Sequence, residues 1–125
     1  MQMQKILIVD DEPAIRELYE AGFKQIGYEV ETAVNGEDAL SKTLQFKPDL
    51  LLLDIMMPEI HGLHVLDIIK ATPEAKDMKV VVFTALSDDE AQKKAEEYGA
   101  DGYIVKSQKS MAEVINYVQG ILNKS

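Results

Sequence analysis

The chain has 125 residues, 46% of them hydrophobic, and a net charge of −9 from 22 acidic against 13 basic side chains. That length fits one ordinary domain with a single core (residues 1–125), and the apolar share excludes a disordered tail. The acidic excess argues against nucleic-acid binding. The absence of cysteine excludes disulfide and thiolate chemistry, and no apolar run reaches the roughly 18 residues of a membrane span.

The N-terminus, Met1 to Lys5, is polar and lacks a signal-peptide pattern, so a cytoplasmic location is the default expectation. Lys5 to Val9 is a short β-branched run, read as the first strand, and it ends at Asp10-Asp11-Glu12. Pro13 then suits the first turn of a helix, with Ile15, Leu18, Gly22 and Ile26 as its apolar face and Gly27 as its end. Glu29 to Ala33 alternates like a half-exposed strand. Asn35-Gly36 caps a second helix carrying Ala39, Leu40, Thr43 and Leu44, which Lys47-Pro48-Asp49 breaks. Leu50 to Leu53 reads as a strand buried on both faces, stopping at Asp54 with Pro58 in the loop beyond.

A third helix follows Gly62 through Val65, Leu66 and Ile69, closed by Thr72-Pro73 because a residue before proline avoids helical geometry. Val80 to Thr84 is the fourth strand. Ser87 with Glu90 has the spacing of a capping box, opening a helix with Ala91, Ala95 and Tyr98 on one face and Gly99 at its end. Tyr103 to Val105 is the fifth strand and ends at Lys106. Ser110 with Glu113 forms a second box before Val114, Ile115, Val118 and Leu122. Five alternations of strand and helix with short connections predict an α/β fold: a parallel sheet covered on both faces.

Right-handed crossovers bring the carboxyl ends of the strands to one sheet edge, where ligands bind in such folds. Asp10, Asp11, Asp54, Thr84 and Lys106 therefore converge from distant segments. Carboxylates this close repel by about 4 kcal/mol per pair at an effective dielectric near 20, which an oxygen-ligated Mg²⁺ relieves. A carboxylate is also a competent nucleophile toward phosphorus, and phosphoryl transfer demands mainly positioning and charge neutralisation. Simpler roles exist for each residue alone: Asp10 or Asp11 as helix caps, Lys106 as a solvated charge, Tyr103 as a half-buried aromatic. His61 and His64 lie one helical turn apart without further ligands, and Met56 and Met57 read as loop packing.

On the motifs Ile8-Val9-Asp10-Asp11-Glu12, Leu53-Asp54-Ile55-Met56-Met57-Pro58, Thr84-Ala85 and Tyr103-Ile104-Val105-Lys106, the chain resembles a CheY-like response-regulator receiver domain over essentially its whole length. The resemblance implies a (βα)5 flavodoxin-like, doubly wound sheet of strand order 2-1-3-4-5. It implies Asp54 as phosphoacceptor for a sensor histidine kinase or histidine phosphotransfer protein. Asp10 and Asp11 are then the Mg²⁺ pair, with the Met56 backbone carbonyl as a further ligand. Lys106 pairs with the acceptor, and Thr84 with Tyr103 forms the switch. The domain is then not an enzyme in its own right but assists its own phosphoryl transfer and hydrolysis. Its output is the surface of the fourth helix, fifth strand and fifth helix, read by a protein partner or a fused output domain.

Two positions depart from the family pattern. Ser107 follows the lysine where many receivers have a cis proline, so a trans bond is expected, since a non-proline cis bond costs roughly 2.5–4 kcal/mol. His61 precedes Gly62 where Asp or Asn is frequent. Competing readings are a pseudo-receiver that only binds partners, a haloacid-dehalogenase-type phosphatase, which needs Asp where Met56 stands, and a P-loop or FMN protein, which needs a phosphate-cradling loop where Asp10-Asp11-Glu12-Pro13 stands. The chain is expected to be either a stand-alone receiver or one part of a longer regulator.

Overall fold

A computed structural model of the chain describes residues 3–56 and 62–123. Pro58, Met57 and His61, singled out from the sequence, lie outside the described residues. The strands are β1 Lys5–Val9, β2 Glu29–Ala33, β3 Leu50–Leu53, β4 Lys79–Thr84 and β5 Gly102–Val105. The helices are α1 Pro13–Gln25, α2 Gly36–Phe46, α3 Gly62–Ala71, α4 Asp89–Glu97 and α5 Met111–Leu122, with short 3-10 turns at Pro73–Ala75 and Lys106–Gln108. All strand pairs are parallel, in the order β2-β1-β3-β4-β5, as the resemblance implied.

The period-two geometry of a strand divides each apolar run between two cores. Leu7, Val9, Leu51, Leu53, Val80 and Val82 face one way, against Ala39 of α2, Val65, Leu66 and Ile69 of α3 and Ala95 of α4. Ile6, Ile8, Leu50, Leu52, Val81 and Phe83 face the other way, against Tyr19 and Phe23 of α1 and Val114 and Val118 of α5. Leu50 to Leu53 are all buried, as the unbroken leucine run required.

Strand positions follow the sequence reading to within one residue, β4 and β5 each starting one residue early. Helix faces depart more. On α1 the buried residues are Tyr19, Gly22 and Phe23, whereas Leu18 and Ile26 are about half exposed, at 49% and 48%. The two aromatic rings take the core position because they fill more volume, and Tyr19 packs edge-on to Phe83 at 5.0 Å. Leu44 and Tyr98 likewise stand exposed rather than facing the core. On α5, Ile121 is buried where Leu122 was expected.

The capping box expected at Ser87 is not formed. Asp88 is the N-cap of α4, its carboxylate accepting from the Glu90 N–H at 2.9 Å. An anionic acceptor one residue closer to the helix outcompetes the serine hydroxyl and also suits the positive end of the dipole. The Ser110–Glu113 box is present in full. Gly27 and Gly99 end α1 and α4 with positive φ, 103° and 98°, the left-handed geometry that glycine adopts at a helix stop. All described peptide bonds are trans, including Lys106–Ser107.

Two glycines make an internal comparison. A Cβ on Gly102 would stand 2.6 Å from the Tyr117 hydroxyl, while one on Gly120 in α5 would meet nothing within 4 Å. Gly102→Ala is expected to destabilise the fold by roughly 1–3 kcal/mol through overpacking. Gly120→Ala is expected to stabilise it by roughly 0.5–1 kcal/mol through helix propensity. Urea denaturation midpoints of the two variants should move in opposite directions.

Candidate functional site

The site is built where the strands stop. Val9 of β1 pairs with Leu53 of β3, so Asp10 and Asp54 leave adjacent strands at one level. Their backbones are fixed by Asp54 N–H donating to Val9 O at 3.0 Å and Asp10 N–H to Ala33 O at 3.2 Å. Toward the other edge the strand ends step outward. Leu53 pairs with Val82, which puts Asp54 level with Phe83, and Thr84 pairs with Val105, which carries Lys106 further out still. The ammonium of Lys106 thus reaches back over β4, passing 5.5 Å from the Phe83 ring.

Lys106 Nζ lies 2.8 Å from Asp10 Oδ2, 3.1 Å from Asp54 Oδ2 and 3.3 Å from Glu12 Oε1. Asp10 is fully buried and Asp54 is 4% exposed. The other oxygens are held by the backbone: Asp10 Oδ1 accepts from Glu12 N–H at 3.0 Å, and Asp54 Oδ1 from Met56 N–H at 2.9 Å. These are Asx turns, in which a carboxylate replaces a backbone carbonyl and turns the chain after a strand. Arg16 completes the support by donating to the Asp10 carbonyl at 2.7 Å.

Burial raises the Asp10 carboxyl above the ordinary aspartate value, against the lowering effect of Lys106. For Lys106 burial opposes the charge, but Asp10 and Asp54 outweigh it and hold the ammonium above the ordinary lysine range.

The structure brings together Asp10, Asp54 and Lys106 among the residues read from sequence. Asp11 is exposed, and the third carboxylate of the group is that of Glu12: ligand-capable oxygens of Asp10, Glu12 and Asp54 lie within 4.8 Å of one another. The acidic run was visible in the sequence, but which member turns inward depends on the Asx turn at Asp10. Neither Asp10 nor Asp11 caps α1; Glu12 occupies the N-cap position, its side chain making no capping hydrogen bond to the helix.

Thr84 is fully buried at the end of β4, its hydroxyl accepting from Leu86 N–H at 3.4 Å. Tyr103 is half-buried and donates its hydroxyl to the Leu86 carbonyl at 2.9 Å. Burial first, then Asp88 and Asp54, raise the Tyr103 phenol above its ordinary value. Leu86, which the sequence reading passed over, is therefore gripped at both its N–H and its C=O. Met56 is 52% exposed, and His64 is exposed on α3.

Asp10 Oδ2 provides a test of whether a divalent cation fits. It is buried and lies 2.8 Å from the Lys106 ammonium, a charge it shares with the Asp54 and Glu12 carboxylates. Three carboxylates sharing one ammonium keep a net negative charge, and their clustered oxygens match the hard, oxygen-only ligand set of Mg²⁺.

Residues 6–119 match the family described as response regulator receiver domain. The chain belongs to that family. It is a receiver domain of two-component signalling. It is 42% identical over 106 residues to the probable transcriptional regulator ycf27 of Porphyridium aerugineum, a match covering 85% of this chain and 43% of the relative. Among solved structures it is similar to Vibrio cholerae chemotaxis protein CheY4, with TM-score 0.90, 28% identity and coverage of 96% and 99%. The response regulator TrrA of Thermotoga maritima, solved in complex with Mg²⁺-BeF, matches with TM-score 0.83, 41% identity and coverage of 95% and 99%. The chain spans only about two fifths to one half of the curated relatives it matches, 43% and 51% in two cases.

The raised Asp10 carboxyl makes the receiver's metal-free stability depend on pH. Between the ordinary value of 3.8 and its higher folded value, the folded state binds the proton more tightly than the unfolded state. Asp10's contribution therefore weakens stability as pH rises through that window and stays unfavourable above it. In chelator at pH 7, Asp10→Asn is expected to raise the melting temperature by a few degrees. Millimolar Mg²⁺ should raise that of the parent chain and raise the variant's less, as read by calorimetry.

Proposed function

We propose that this receiver is a phosphorylation-controlled switch in which Asp54 accepts a phosphoryl group from a histidine kinase or histidine phosphotransfer protein. The observation that carries the reading is the bridge from Lys106 to two buried carboxylates, Asp10 and Asp54, at the carboxyl edge of the sheet. A structural ion pair needs one carboxylate, and burying two around one ammonium is costly unless the arrangement is used. An Asp54 oxygen attacks phosphorus. A P–O bond forms, the P–N bond of the donor phosphohistidine breaks, and the imidazole leaves with the bond's electrons and takes up a proton. Lys106 stays charged throughout the working pH range and faces the oxygens of the incoming group.

Asp10, Asp54, the adjacent Asp11 and the Met56 carbonyl would hold Mg²⁺, with Glu12 at the rim. When bound, Mg²⁺ neutralises the carboxylates and draws charge from the phosphoryl oxygens. The complex of TrrA with Mg²⁺-BeF supports this assignment. Thr84 and Tyr103 form the switch pair, and the surface of α4, β5 and α5 carries the output. The same site assists hydrolysis of the acyl phosphate, which resets the switch.

Residues 1–125 form one receiver domain, working in the cytoplasm, where its kinase partner presents phosphohistidine. The name of the ycf27 relative, a probable transcriptional regulator, supports an output through DNA carried by a further domain rather than by this acidic surface. No described helix is long and apolar enough to cross a membrane.

Incubation with Mg²⁺ and acetyl phosphate is expected to add one phosphoryl group, seen by intact-mass spectrometry. Asp54→Asn should abolish the gain, and Lys106→Met should slow it by about 10²-fold, the typical cost of losing one charge-stabilising donor. An unphosphorylated parent chain under several small donors would instead favour a pure interaction module.

A further inference from the structure

Strand β4 runs Val80-Val81-Val82 and then, at its last position before Thr84, carries the phenyl ring of Phe83. An aliphatic side chain would fill the core there, so burial alone does not call for a ring. Phe83 shares the face of Ile8 on β1, Leu52 on β3 and Ile104 on β5. The same alternation, carried past the strand ends, brings Asp10, Asp54 and Lys106 to that face. Register then puts Phe83 level with Asp54 and opposite Ile104, between the root of Lys106 and its carboxylate partners. The lysine stem crosses β4 over this ring. Its ammonium ends 5.5 Å from the ring centroid, inside the roughly 6 Å reach of a cation–π contact.

The ring is itself held. Tyr19 packs edge-on to it with centroids 5.0 Å apart, and Phe23 lies beyond Tyr19 at 6.4 Å. Phe83 is 3% exposed and the Lys106 side chain 14%, so the contact is largely out of water, where cation–π attraction is strongest. Lys106 also lies close enough to Tyr19 to oppose the rise that burial imposes on its phenol. A lysine stem is flexible, and the carboxylates that draw its ammonium are the groups a divalent cation would share. A cation on those oxygens would weaken their pull on Lys106. The quadrupole of the ring would be unchanged.

We propose that Phe83 is a positioning residue for Lys106, its ring face holding the ammonium beside Asp54 when the carboxylates are committed to a divalent cation. The kinetic consequence rests on the phosphoacceptor reading, whereas the contact itself does not. Carboxylate and phosphoryl oxygens claim one side of the ammonium, and the ring supplies the other without competing for either. A leucine at this place would fill the core but leave Lys106 free to swing toward solvent.

The test compares the parent chain with Phe83→Leu, with trifluorophenylalanine in place of Phe83, and with Phe23→Leu, which removes the ring beyond Tyr19. In the parent, ring current should place the Lys106 ε-methylene protons upfield of their ordinary NMR position, both in chelator and in millimolar Mg²⁺. Phe83→Leu should abolish that shift. Trifluorophenylalanine nearly keeps the shape but depletes the charge of the ring face, and should lose the shift when Mg²⁺ is added. With Mg²⁺ and acetyl phosphate, both changes should slow phosphorylation about fivefold, the size of one largely desolvated cation–π contact. Phe23→Leu should lower the urea midpoint as Phe83→Leu does, yet leave the shift and the rate as in the parent. An ordinary Lys106 position in the parent would overturn the contact, and an unchanged rate in the fluorinated chain would overturn the positioning role. A parent chain that shows the shift but accepts no phosphoryl group would overturn the phosphoacceptor reading, and with it the kinetic role, while the contact stood.

Discussion

Everything at the carboxyl edge of this sheet depends on Lys106 spanning the distance from β5 to the carboxylates at the ends of β1 and β3. Those strands are not neighbours of β5, for β4 lies between. The lysine bridges the gap because β5 ends further out than β3 and its ammonium passes over the Phe83 ring, where a cation is favourably placed. Remove that charge and three acidic groups within 4.8 Å confront one another with only a cation from solution to separate them. The interaction is one of specificity more than of stability. Buried ion pairs often return little net free energy, but they punish any arrangement that leaves one partner alone.

The remainder of the fold serves to hold those ends still. Two aliphatic cores grip β3 from both faces, so Asp54 sits on a strand that cannot slip without burying the wrong residues. The parallel register then sets the heights of Asp10, Thr84 and Lys106 relative to it. Backbone N–H groups of Glu12 and Met56 fix the two carboxylates from below, which leaves their remaining oxygens facing Lys106. A precise polar cluster is thus produced by an apolar scaffold together with a few Asx turns.

Strands were legible in the sequence because parallel central strands are continuous apolar runs that little else resembles. The five strand ends, and with them Asp10, Asp54, Thr84 and Lys106, could be placed before any coordinates. Side-chain direction beyond those ends could not. Asp11 and Glu12 are adjacent acids, and only the turn made by Asp10 Oδ1 brings Glu12 rather than Asp11 beside Lys106. The α1 face shows the same limit. Leu18 and Ile26 fit the helical period, yet Tyr19 and Phe23 lie one step round it and win by volume.

Leu86 shows how a local event at this edge can become a change of surface. Its N–H is held by the Thr84 hydroxyl at 3.4 Å, a long and weak bond, and its carbonyl by the Tyr103 hydroxyl at 2.9 Å. On the proposed function, a phosphoryl group at Asp54 would offer Thr84 charged oxygens, which compete easily with a backbone N–H at that length. If Thr84 turned away, Leu86 would keep the Tyr103 hydrogen bond at its carbonyl and the packing of its side chain against the core. Its displacement would then move either the ring of Tyr103 or the start of α4. The two hydrogen bonds share one residue, so they cannot respond independently. A preference at the buried site would thereby be converted into a choice between two positions of the segment after β4, which is the population shift that the proposed switch requires.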